Sequence, residues 1–266
     1  MRIKQSIVIP AFNEARRLGT TLDTVMDYAR KGSKNAWVSE VIVVCDGCSD
    51  ATERVARGYT DRMPLRVVSY ADNRGKGHAV RQGIAASKGD VVAFMDADGA
   101  TPVSELGRLS DPIIHGQADI VIGSRRVKDA RVKVDQPVVR QLLGRAFALH
   151  AQVVLGLNIQ DTQCGFKVFK GPLARALFKD MQCDGFAFDL EILAFARERH
   201  LRVLERGVEW NERSGSTVHP LRDGVRMLRA AWKIRSRLHA QRHSAAAESQ
   251  TAPLLSPEPL YSVSST

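Results

Sequence analysis

Two carboxylates spaced i, i+2, Asp96 and Asp98, close the uninterrupted apolar run Val91-Val92-Ala93-Phe94-Met95. Such a run reads as a buried strand that delivers charge to a sheet edge. Residues i and i+2 of a strand share a face, so both carboxylates can point into one cleft. Two like charges that close resist ionising together unless a cation stands between them. Hard divalent ions such as Mg²⁺ take oxygen ligands, bridging one or two carboxylates to a substrate's phosphates. The spacing therefore points to a metal–diphosphate centre. A solvated turn is the plain alternative, because Asp and Gly are common after strands and Asp-x-Asp alone is a weak motif.

The elements around this stretch must bring further chemistry to it. Ser6–Ile9 reads as a strand ended by Pro10 and followed by Asn13 and Glu14. A helix is expected over 17–31 and a strand over 40–45, the latter running into Asp46-Gly47-Cys48-Ser49-Asp50. A helix follows over 51–57, then a strand over 65–70, and Asn73-Arg74-Gly75-Lys76-Gly77 opens a helix to about 87. After the Asp96–Asp98 strand come a helix over 103–109 and the strand 120–123, which ends in Ser124 and Arg125. Strand–helix alternation at this spacing argues for an α/β fold with a mostly parallel central sheet. Ligands of such folds bind outside the carboxyl ends of the strands, where four strands here send polar groups.

The second half is less regular. The pattern predicts a helix over 136–155, a loop then strand over 161–169, a helix from Asp189 to 199, and a last strand over 201–208. A polar loop over 210–219 and a helix over 221–242 follow. From Ser244 onward the chain is Ala, Ser, Pro and Thr with little to bury, which predicts a disordered tail, 243–266, after one domain, 1–242.

Composition limits the classes. The 266 residues are 44% hydrophobic and 26% charged, enough for a large soluble domain. A net charge of +10 calls for an anionic partner: nucleotide, nucleic acid or acidic membrane face. No apolar run approaches the roughly 18 residues that span a bilayer, and Met1-Arg2-Ile3-Lys4 leads into a strand rather than a signal peptide. A cytoplasmic protein is expected. Cys45, Cys48, Cys164 and Cys183 are too few and scattered for a disulfide scaffold. Cys45-x-x-Cys48 lacks a second ligand pair for zinc, and Cys45 completes an apolar strand.

Dinucleotide and P-loop signatures are missing: Pro10-Ala11-Phe12 replaces a G-x-G-x-x-G, and Gly75-Lys76-Gly77-His78 lacks P-loop spacing. Lys76 and the helix N–H groups after it could still meet an anion. The blocks Ile9-Pro10-Ala11-Phe12-Asn13-Glu14, Asp46-Gly47-Cys48-Ser49-Asp50, Asn73-Arg74-Gly75-Lys76-Gly77 and Asp96-Ala97-Asp98 together resemble family 2 glycosyltransferases, in that family's order. Asp98-Gly99-Ala100-Thr101, Gly123-Ser124-Arg125, Asp161-Thr162-Gln163-Cys164-Gly165-Phe166-Lys167, Phe188-Asp189-Leu190-Glu191 and Glu212-Arg213-Ser214-Gly215-Ser216 are similar to the dolichyl-phosphate β-glucosyltransferases. Polyprenyl-phosphate mannosyltransferases match more loosely.

The resemblance covers about residues 5–240 and implies a GT-A fold. It implies that Asp46 binds the nucleoside of a UDP-sugar in a pocket lined by Pro10, Ala11, Asn13 and Glu14. Asp50, Lys76, Ala97 and Arg213 complete the donor side. Asp96 and Asp98 would hold Mg²⁺ or Mn²⁺. Ala100 stands where the mannosyl branch usually has Gln, which tilts the donor from GDP-mannose toward UDP-glucose; UDP-GlcNAc stays open. Thr217 stands where a Lys often follows Gly-Ser, and Arg213 is the substitute charge.

Breaking a sugar–diphosphate bond develops negative charge that a metal and cations can stabilise, with Arg125 and Arg213 the candidates. A phosphate monoester acceptor, already ionised near neutral pH, needs orientation more than a base. Arg126, Arg140 and Lys167 could orient it. A hydroxyl acceptor needs a general base, with Asp189 and Asp161 the choices; an N-cap role explains Asp189 equally well. In-line attack predicts inversion. Residues 222–242 carry seven Lys or Arg against one Asp, with Val225, Leu228, Trp232 and Leu238 as an apolar stripe. That pattern suits an anionic membrane surface and a peripheral enzyme acting on a polyprenyl phosphate. The competing class is a non-catalytic basic protein on membrane or nucleic acid, although no nucleic-acid motif is present and aromatics are only 6%.

Overall fold

The computed structural model describes residues 2–32, 36–133, 149–211 and 220–251. Its elements in order are β1 (Ile3–Ala11), α1 (Leu18–Lys31), β2 (Ala36–Asp46), α2 (Thr52–Arg57), β3 (Leu65–Tyr70), α3 (Lys76–Ala86), β4 (Val91–Met95) and α4 (Glu105–Ile114). There follow β5 (Ile120–Ser124), β6 (Arg131–Val132), α5 (149–155), β7 (Phe166–Lys170), α6 (Gly171–Asp180), α7 (Phe188–Glu198), β8 (Val203–Gly207), β9 (Glu209–Trp210) and α8 (Pro220–Thr251).

The expected α/β fold is found. Seven strands form a sheet of order β3-β2-β1-β4-β7-β5-β8, and β7 alone runs antiparallel to its neighbours. Side-chain alternation divides the core into two layers. Val8, Ile42, Val44, Val92 and Phe94 pack under α3, α5, α6, α7 and α8, while Ile7, Ile9, Val43, Ala93 and Met95 pack under α1, α2 and α4. Strands buried on both faces read as continuous apolar runs, as these do.

Three expectations change. β1 runs through Pro10 to Ala11, because β4 pairs with it only as far as Val8 and leaves Pro10 paired with β2 alone. The antiparallel β7 fits between β4 and β5, with Met95 opposite Phe166 and Ile122 opposite Lys167. Its first residues therefore meet the carboxyl ends of its neighbours. Finally, α8 continues to Thr251, past its expected end at 242, because the run Ala245-Ala246-Ala247 has high helix propensity. The rest of the expected tail and most of the helix expected over 136–155 lie outside the described residues.

The face that α8 turns to the domain is set by Ala231 and Ile234, both buried, with Met227, Ala230 and Leu238 packed against the same core. Leu238 of the expected stripe is thus used for packing, whereas Trp232 is 55% exposed.

Candidate active site

The carboxyl ends of β1, β2, β4 and β5 form one rim, which the start of β7 joins. The Asp96–Gly99 turn closes β4, with the Gly99 amide on the Asp96 carbonyl. Thr21 of α1 donates to the Ala97 carbonyl at 2.8 Å and fixes the turn from behind. Asp98 Oδ1 accepts the Ala100 amide at 3.0 Å. Asp96 Oδ1 stands 2.6 Å from Lys76 Nζ. Its amide donates to the Gly165 carbonyl, and Gly165 lies so close that a Cβ there would stand 1.9 Å from Asp96 Oδ2.

Charge around this turn is dense. Burial and the neighbouring Asp96 hold the Asp98 carboxyl above its ordinary pKa. Burial opposes the charge on Lys76, but Asp96 and Asp189 outweigh it and the ammonium titrates above its usual range. Glu14 is raised by burial against the pull of Arg17, whose guanidinium chelates it at 2.6 and 2.5 Å. Arg17, which also feels Asp96 and Asp98, is a site residue that sequence reasoning missed. Its only local signal was the Glu-x-x-Arg spacing.

The residues expected on the donor side cross-brace the loops after β1 and β2. Asn13, at φ 55°, accepts the Ser49 amide at 2.9 Å. Asp50 takes the amides of Thr52 and Ala15, which makes it a brace between the two loops. Asp46 is buried, and its two oxygens accept the amides of Arg74 and Gly75 at 2.8 Å each, fixing the turn that presents Lys76. Pro10 and Ala11 are buried at the end of β1.

On the β5 side, Arg125 binds Asp161 through Nε and Nη2 at 2.7 and 2.8 Å, and its amide adds a third contact at 3.0 Å. Burial works against the Asp161 carboxylate, but Arg125 overwhelms it and drives the pKa far down. That electrostatics suits a fixed anion, not the general base that Asp161 was a candidate for. Arg125 also lies 5.6 Å from the Trp210 ring. Arg126 donates to the Gln160 carbonyl at 2.9 Å. Lys167 is buried, with Nζ on the Cys164 carbonyl (2.8 Å) and on Asp189 Oδ1 (2.6 Å), so it holds Asp189 instead of reaching into the cleft. Asp189 lies inside the first turn of α7, whose N-cap is Ala187, so the N-cap reading does not hold. Burial leaves its pKa raised despite Lys167 and Lys76. Arg140 and Arg213 lie outside the described residues. Asn211, which is described, donates its amide to the Ala100 carbonyl at 2.8 Å.

The Arg125–Asp161 pair carries a stability prediction. Asp161→Asn leaves the guanidinium facing a neutral amide and is expected to lower unfolding stability by about 3–5 kcal/mol in urea titration. The folded-state pKa of Asp161 is depressed, so its contribution is present above the ordinary carboxylate range. It fades as pH falls below about 4. The variant should therefore lose less stability than wild type between pH 5 and 3 (~2 pH units of acid titration). Equal stability and equal acid sensitivity would show that the pair contributes nothing.

Among the described residues no group of three or more His, Cys, Asp or Glu could hold an ion, and Asp96 and Asp98 are the candidate metal ligands. That set fits a cation that takes its remaining ligands from a diphosphate. Burial and the Asp96 charge, which raise Asp98, are costs that a divalent ion relieves.

The sequence matches the profile described as "Glycosyl transferase family 2" over residues 6–178. The chain belongs to glycosyl transferase family 2. A dolichyl-phosphate β-glucosyltransferase of Dictyostelium discoideum is 34% identical over 242 residues, spanning 87% of this chain and 74% of that protein. The Homo sapiens protein of the same name is 34% identical over 232 residues, spanning 84% and 72%. In structure, the chain is similar to glucosyl-3-phosphoglycerate synthase from Mycobacterium tuberculosis in complex with Mn²⁺, UDP and phosphoglyceric acid. The TM-score is 0.64 at 22% identity, covering 87% of this chain and 77% of that one. The fold is GT-A and the protein is a glycosyltransferase, which sets aside the non-catalytic alternative.

Proposed function

We propose that this glycosyltransferase moves glucose from UDP-glucose to a polyprenyl or dolichyl phosphate, with inversion and with Mg²⁺ or Mn²⁺. The observation that carries the reading is the Lys76–Asp96–Asp98 centre at the carboxyl ends of the parallel strands. A bound divalent ion would screen the charge that develops on the leaving diphosphate. Asp96 and Asp98 would hold it, while Lys76 and Arg17 would supply fixed positive charge beside it. Asn13 and Asp46 shape the nucleoside pocket by fixing the loops after β1 and β2. The names of the relatives at 34% identity support the sugar and the acceptor, and the Mn²⁺ and UDP bound by the structural neighbour fit the donor side.

A phosphate acceptor is a competent nucleophile without proton transfer. That agrees with the engagement of Asp161 by Arg125 and of Asp189 by Lys167. A hydroxyl acceptor is the second reading, favoured by the raised pKa of Asp189, which would then be the base. The lipid acceptor brings the enzyme to the cytoplasmic face of a membrane. No described helix is long and apolar enough to cross one. The Trp232 ring of α8 lies 6.3 Å from the His150 ring of α5, and the exposed Trp232, Arg229 and Lys233 of α8 with Leu149 and Val153 of α5, which are 61% and 71% exposed, suit an anionic bilayer surface.

The test supplies labelled UDP-glucose, GDP-mannose and UDP-GlcNAc in turn, with polyprenyl phosphate in detergent and Mg²⁺ or Mn²⁺. Label is expected in the organic phase from UDP-glucose alone, and excess chelator is expected to abolish it. Transfer from another donor, a water-soluble product or undiminished turnover in chelator each overturns the corresponding part.

A further inference from the structure

One continuous set of contacts joins the C-terminal helix to the donor-side rim. Arg237 of α8 pairs with Glu191 of α7 and donates to Gln182 Oε1 at 2.7 Å. Glu191 is completely buried, and its two oxygens accept the amides of Gln182 and Cys183 at 3.0 and 2.7 Å. A buried carboxylate committed to backbone amides fixes that backbone, provided its charge has a cation. Arg237 supplies it.

The next link is steric. The carbonyls of Cys183 and Asp184 lie beneath the two glycines that flank Lys76. A Cβ on Gly77 would stand 2.4 Å from the Cys183 oxygen, and one on Gly75 would stand 2.5 Å from the Asp184 oxygen. The His78 amide donates to the same Asp184 carbonyl. Arg81 ties the segment from its other side, to the Met181 carbonyl at 2.7 Å and Asp184 Oδ1 at 2.8 Å. Lys76 thus rests on a short stretch of backbone whose far end is held by Glu191, and its ammonium meets Asp96.

We propose that Arg237 is a positioning residue for the transfer reaction: through Glu191 and the 182–184 backbone it sets where the Lys76 ammonium stands over Asp96. The proposal rests on the reading of Lys76 as a group facing the leaving diphosphate. The C-terminal helix is then part of the catalytic apparatus although none of its contacts given above reaches the Asp96–Asp98 turn.

Misplacing a charged group by about an ångström can cost up to ~100-fold in rate. The test is a double-mutant cycle on UDP-glucose-dependent transfer, with all proteins matched by circular dichroism and thermal melting. Arg237→Met is expected to lower kcat about tenfold, and Arg237→Lys, which keeps the charge, to recover most of that. In a Lys76→Met background, Arg237→Met is expected to cost less than about twofold further, because its effect runs through the missing ammonium. A full tenfold loss in that background overturns the proposal and makes Arg237 a general support of the fold. Lys76→Met at wild-type kcat overturns the reading of Lys76 itself, a result distinct from a multiplicative cycle. Where Arg237→Met does not fold, Arg237→Gln, which keeps a polar side chain but removes the charge, takes its place in both backgrounds.

Discussion

Asp98→Asn is expected to lower UDP-glucose-dependent transfer by on the order of 10²–10³-fold, the scale of removing one preorganised electrostatic contact from a transition state. The same substitution is expected not to destabilise the metal-free protein. Burial and Asp96 raise the folded-state pKa of Asp98, so the ionised carboxylate weakens the fold at neutral pH. For a carboxyl with a raised folded-state pKa, stability falls as pH rises through the window between the unfolded and folded values, and stays lower above it. Asparagine removes that penalty while keeping the size and the oxygen that accepts the Ala100 amide. Metal-free Asp98→Asn should thus melt at or above the wild-type temperature, and lack the rise in Tm that Mn²⁺ plus UDP is expected to give the wild type. Wild-type turnover, or an undiminished metal-dependent rise, would remove Asp98 from the metal set.

Gly165→Ala is the second large effect, and it separates activity from stability. The backbone at Gly165 is not among the positive-φ positions, so alanine is conformationally allowed there. Its methyl would nevertheless meet Asp96 Oδ2 at 1.9 Å and Cγ at 2.3 Å. The obstructing atoms are the end of a side chain that is 34% exposed and can swing away. Stability should therefore change by only about 1 kcal/mol. Swinging away, however, takes Asp96 out of line with Asp98 and Lys76. A displacement of that size is expected to cost about 100-fold in kcat/KM. A variant within threefold of wild type, or one that fails to fold (a loss beyond ~4 kcal/mol), contradicts the proposed role of Gly165 as the backing of Asp96.

Much of the half proposed to take the donor was legible in the sequence because its signals are local. An apolar run that stops at a polar residue marks a strand end within a few positions. Asn13, Asp46, Asp96 and Arg125 each follow such a run, and parallel topology then places them on one rim without any knowledge of distant contacts. The half proposed to take the acceptor was less legible, because the role of a charge there depends on a partner that local pattern does not contain. Asp161 reads as a base until Arg125, 36 residues away, takes both its oxygens. Lys167 reads as an anion-binding cation until β7 pairs antiparallel between β4 and β5 and turns its side chain onto Asp189.

Residue types and their order along the chain thus determined the strand ends, the paired carboxylates and the family. Tertiary structure alone decided which charges stay available to a substrate, since neutralisation in a buried site is settled by what lies within about 3 Å. It also made Gly165 the backing of Asp96, a role that the bare hydrogen of a glycine cannot announce in sequence.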